Sequence, residues 1–112
     1  MTFRMLVSDT VSVPVAGRLP DASGRAVPFS FTVLARRLPA SELRNALEPT
    51  DRTVPEFLNS VVRGWSGVQS DDGAELPYSQ PGLDALLEIV GMANLIFGAY
   101  IEACGVKGKE KN

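Results

Sequence analysis

The side chains able to do covalent or metal chemistry are few. The chain has no histidine and a single cysteine, Cys104. Without imidazole, nucleophile–base triads of the usual kind and histidine-rich metal sites cannot be assembled, and one thiol rules out an intramolecular disulfide. Cys104 therefore reads as a small buried hydrophobe, since no imidazole exists to draw off its proton. Asp71, Asp72 and Glu75 lie close enough in sequence to invite a calcium reading. A calcium loop needs oxygens at alternate positions and a closing glutamate further on, and this spacing fails the test. The three read instead as a solvated acidic turn. Gly64, Gly67 and Gly73 match no phosphate-binding fingerprint, and no lysine follows any of them. No catalytic residue, metal or cofactor is assigned. What survives the elimination is a protein that works by binding other chains.

The elements that would position such surfaces come in two halves. From residue 10, Val11, Val13 and Val15 alternate with Thr10, Ser12 and Pro14, the period of a half-buried strand. Pro14 lacks an N–H, so at least one edge of that strand should be open. A Pro/Gly loop over residues 19–25 leads to a second alternating run: Val27, Phe29, Phe31, Val33 and Ala35. Two such runs make a hairpin over about 10–37. A two-stranded ribbon is not stable alone, so the helical half must cover its apolar face.

That half spans about 40–105. Residues 39–49 predict a short helix between prolines, with Leu43, Ala46 and Leu47 on one side. Thr53 and Glu56 fit a capping box. Beyond them Val54, Phe57, Leu58, Val61, Val62 and Trp65 keep helical spacing, so the helix is expected to run to Trp65. Residues 62–79 form the joint. Trp65 is its apolar anchor, with an indole N–H that needs an acceptor. Asp72-Gly73 is a hairpin turn pair, so Val68 and Leu76 either pair across a short ribbon or lie in an irregular loop. Ser79 caps the next helix, with Leu83, Leu86 and Leu87 on one face, and Gly91 interrupts it as a kink or a break. Ala93, Ile96, Phe97, Tyr100, Ile101 and Cys104 then repeat at helical spacing, and Gly105 is the stop.

The fold expected is α+β: one domain over residues 1–105, with a hairpin packed on three or four helices. Residues 106–112 read as a flexible polar tail. With pI near 5.0 and net charge −2, nothing favours nucleic acid. The apolar patch near Met1 is too short for a secretory signal, and residues 89–101 are too short for a membrane span. A cytoplasmic location is the expectation.

Several features of the second half occur together: Trp65-Ser-Gly-Val68, the acidic turn at Asp71-Asp72-Gly73, Leu76-Pro-Tyr-Ser79, the Leu86-Leu87 pair, and Ala99, Tyr100 and Ala103 on the last helix. In this combination the chain resembles the tail assembly chaperones of long-tailed phages and prophages, over residues 57–112. The resemblance implies a non-enzymatic protein that keeps the tape measure protein soluble and promotes polymerisation of the tail tube protein around it, in part through a longer frameshifted form. It also implies a protein absent from the finished tail. It carries over no catalytic position. Self-association is expected, and the residues expected at partner contacts are Trp65, Tyr78, Phe97, Tyr100 and Ile101, with the outer side of the last helix as the surface. The alternative is a small bacterial interaction domain, an adaptor or antitoxin-like regulator, pairing through the hairpin edge.

Overall fold

The computed structural model describes residues 2–5, 7–48 and 52–106. Strands β1 (Thr10–Pro20) and β2 (Ala26–Arg36) form the expected antiparallel hairpin, with Val13 opposite Val33 and Val15 opposite Phe31. Its turn is held by Asp21, whose carboxylate accepts from the backbone N–H groups of Ser23 (2.9 Å) and Arg25 (3.0 Å).

A third strand was not expected. The helix α2 (Val54–Val61) stops four residues short of Trp65, and Val62–Ser66 become β3, antiparallel to β2 in a sheet of order β1-β2-β3. The helical spacing from Val54 to Trp65 is real, but β2 offers an unpaired edge at Thr32–Ala35, and a β-branched Val62 followed by Gly64 leaves the helix for that ladder at little cost. The start of α2 is as expected. The Thr53 hydroxyl accepts from the Glu56 N–H, and the Glu56 carboxylate accepts from the Thr53 N–H.

Three prolines share one parity of the hairpin register, in the pairs Pro14–Thr32, Arg18–Pro28 and Pro20–Ala26. A proline fits only a pair whose backbone groups point away from the partner strand. All three rings therefore sit on outward edges: Pro14 and Pro20 on the free side of β1, Pro28 on the side of β2 that runs past the end of β3. Each removes a donor from an edge another chain would need for pairing.

The remaining elements are α1 (Ala40–Leu47), which buries no residue, α3 (Gln80–Leu87) and α4 (Met92–Cys104). Gly91, at φ 85°, breaks α3 from α4, which lie at 108° to each other. The core joins Val13, Val15, Val33 and Ala35 of the sheet to Phe57, Leu58 and Val61 of α2, Leu83 of α3, and Ile96 and Tyr100 of α4. The helices cover only half of the hairpin face, contrary to expectation. Towards its turn Leu19 and its partner Val27 remain 41% and 43% exposed, with Phe29 and Phe31 half-buried. Pro49 and residues 107–112, read above as a helix stop and most of a polar tail, lie outside the described residues.

Candidate interaction surfaces

The five residues expected at partner contacts fall into separate places. Trp65 and Tyr78 meet edge to face, ring centres 5.1 Å apart. The indole N–H donates to the Leu76 carbonyl at 2.8 Å, which supplies the acceptor that a tryptophan beside a polar loop requires. Phe97 is half-buried against Phe57, edge to face at 5.6 Å. Tyr100 is 1% exposed and packs on Phe57 from another side. Its hydroxyl donates to the Arg36 carbonyl, so it is a core side chain and presents nothing to a partner. Ile101, 36% exposed, is on the surface.

The residues first considered for chemistry take structural parts. Asp72 accepts from the Ser70 hydroxyl and from the Ala74 N–H at 3.1 Å, and these bonds, the hydroxyl's first, hold its carboxyl below the usual carboxylate range. It fixes a turn inside a short ribbon, in which Gln69 bridges Glu75 and the Leu76 N–H donates to Val68 at 2.8 Å. The ribbon form of residues 66–78 is the one realised. Among the described residues no group of three His, Cys, Asp or Glu side chains could hold a metal ion, and no single helix is long and apolar enough to cross a membrane.

Among the described residues, two apolar surfaces of the folded body stand out. The first is a trough between the turn half of the hairpin, the ribbon and α3. One part, about 650 Å³, is floored by Trp65, Val68, Leu86 and Ile89 and walled by Asp71 and Asp72. The adjoining part, about 440 Å³, lies against Leu19, Val27, Phe29 and Phe31. Val68, Gln69 and Leu86 line both, which makes the trough continuous. Sequence reasoning missed it because its two sides are more than thirty residues apart in the chain. A signal was available: residues 64–106 contain no Lys or Arg, so the ribbon and helix side carries carboxylates alone.

The second surface is the outward side of α4, where Leu95 (37% exposed) and Ile101 flank Gly98 at three-residue spacing. A Cβ on Gly98 would meet nothing within 4 Å, so another helix can approach the backbone closely there. Comparison of the chain with protein-family models, with curated proteins and with solved structures found no match.

Proposed function

We propose that this chain is a tail assembly chaperone of the long-tailed phage or prophage type. It binds the tape measure protein, keeps it soluble, and promotes polymerisation of the tail tube protein around it without catalysing a reaction. The observation that supports this most directly is the outward face of α4. Leu95 (37% exposed), whose far side leans on Gly17 of β1, and Ile101 (36% exposed) stand on either side of Gly98, in a helix whose opposite side carries Ile96 and Tyr100 of the core. Apolar side chains flanking a gap at three-residue spacing suit a client helix laid across them. The resemblance of residues 57–112 supplies the class of client. Pairing through the hairpin edge is a poorer account, because Pro14, Pro20 and Pro28 remove donors there.

The experiment is co-expression with the cognate tape measure protein. The client should move from the insoluble to the soluble fraction and co-elute with the chaperone. A folded Ile101→Glu variant should lose the complex. A client that stays insoluble beside abundant soluble chaperone would refute the reading.

A further inference from the structure

The trough carries charge of one sign. Among the described residues that line it, the charged ones are Asp71 and Asp72 in the part over Trp65, and Asp21 in the part against Val27 and Phe29. Neither lining contains a Lys or an Arg. Strand alternation accounts for the hairpin side. Leu19, Val27, Phe29 and Phe31 share the face that Val13, Val15 and Val33 turn to the core, whereas Arg18, paired with Pro28, falls on the other face. Asp21 is held below the usual carboxylate range by the Ser23 hydroxyl first and then by backbone N–H groups, as Asp72 is by the Ser70 hydroxyl and the Ala74 N–H. No guanidinium is among the groups that stabilise either charge.

The floor these carboxylates overlook is apolar. Leu19, Val27 and Leu76 are exposed, and Trp65, Phe29 and Phe31 are half-buried. Contiguous apolar surface with a polar rim marks a place where another molecule sits. Cavities of about 650 and 440 Å³, joined through Val68 and Leu86, are of the size that encloses large apolar groups.

We infer that the trough is a docking site for an apolar segment of another protein flanked by Lys or Arg. Its apolar side chains lie against Trp65, Leu86 and Phe29, and its cations face Asp71 and Asp72 in one part and Asp21 in the other. Burial of the apolar side chains supplies most of the strength. The rim carboxylates choose the partner, because an acidic segment would bring like charges together. Leu95, Gly98 and Ile101 line neither part, so the site is separate from the α4 surface and does not depend on the identity of any client there.

The single tryptophan lies on the trough floor, so its emission reports occupancy. Three synthetic peptides of equal length are titrated against the full chain. One has leucine and phenylalanine between terminal lysines, one replaces the lysines by glutamates, and one replaces the apolar residues by serines. The lysine peptide should shift Trp65 emission saturably, and the other two should bind about tenfold more weakly or worse. Salt at about 1 M cuts the screening length to roughly 3 Å and should bring the lysine and glutamate peptides closer together. Val27→Ser, at an exposed wall position, should weaken the lysine peptide several-fold. Asp71→Lys, at an exposed side chain, should narrow the gap between the lysine and glutamate peptides. Circular dichroism confirms that each variant is folded. Ile101→Glu, on the α4 surface, should bind the lysine peptide as wild type does, so failure here and failure of the client complex are read separately. No saturable response to the lysine peptide, equal affinity for the lysine and glutamate peptides, or indifference to both trough variants would each overturn the inference.

Discussion

The hydroxyl of Tyr100 donates a 2.8 Å hydrogen bond to the backbone carbonyl of Arg36, joining the last helix to the end of β2 across 64 residues of chain. The next residue returns the connection: the Arg37 guanidinium donates to the Cys104 carbonyl at 2.9 Å, placing a cation on the C-terminal end of α4, where the helix dipole favours one. Arg36 shares the parity of the hairpin prolines, so its carbonyl points away from β1 and lies open to the tyrosine.

Removing that hydroxyl should weaken the fold without touching the surface. Tyr100→Phe keeps the ring against Phe57 but leaves the Arg36 carbonyl without this donor, at a cost of about 1–2 kcal/mol. Urea denaturation should show the lower midpoint, while client binding by the folded variant stays unchanged. Loss of binding at full stability would return Tyr100 to the contact surface.

Alkaline pH should act through the same residue. Burial, with the Cys104 thiol beside it, raises the Tyr100 phenol well above its ordinary value of 10.0. Above about pH 10 the unfolded chain gives up this proton while the folded chain keeps it, so the folded state binds more protons and stability falls as pH rises. The contribution is fully present below pH 10. Thermal melts of wild type and Tyr100→Phe at pH 9 and pH 11 should show the steeper loss in wild type.

Two glycines should respond to alanine in opposite directions. Gly67 sits at φ 84° with its Cα side against Phe31, where an L side chain is strained; Gly67→Ala should cost about 1–2 kcal/mol. Gly98 lies within α4 facing open space, and Gly98→Ala should gain about 0.5–1 kcal/mol from the lower entropy of the unfolded chain. Chemical denaturation of both variants beside wild type reads the two signs directly.

The start of α2 supplies a third stability test. Thr53→Ala removes the hydroxyl that accepts from the Glu56 N–H and should cost about 1 kcal/mol. The Thr53 hydroxyl and then its backbone N–H hold the Glu56 carboxyl below its ordinary value. The unfolded chain then takes up the proton first on acidification, so this contribution, present at neutral pH, is lost as pH falls through and below about 4. Acid titrations followed by circular dichroism should find the loss smaller in Thr53→Ala.

Much of this architecture was legible in the sequence wherever a local pattern had one structural solution. The alternation from Val11 to Ala35 gave the hairpin, Thr53 and Glu56 the start of α2, and Gly91 an interruption before α4, though not whether it is a kink or a break. The miss at Val62–Ser66 has a physical cause. Val61, Val62 and Trp65 satisfy a helical period, and the edge of β2 that overrides it is built by residues thirty positions earlier. Tyr100 was misplaced for a related reason. Spacing puts it on an apolar helix face but does not say which side meets the sheet. The trough was the least legible feature, because it exists only once the ribbon carrying Val68 is set beside the hairpin.

The prolines on the outward edges of the hairpin bear on how long any association lasts. Strands zipped together by a full row of backbone bonds separate slowly, and such junctions favour permanent assemblies. With donors missing at Pro14, Pro20 and Pro28, any neighbour meeting these edges is held by side chains, and contacts of that kind release more readily. The proposed chaperone role, in which the protein is absent from the finished tail, calls for reversibility of that kind.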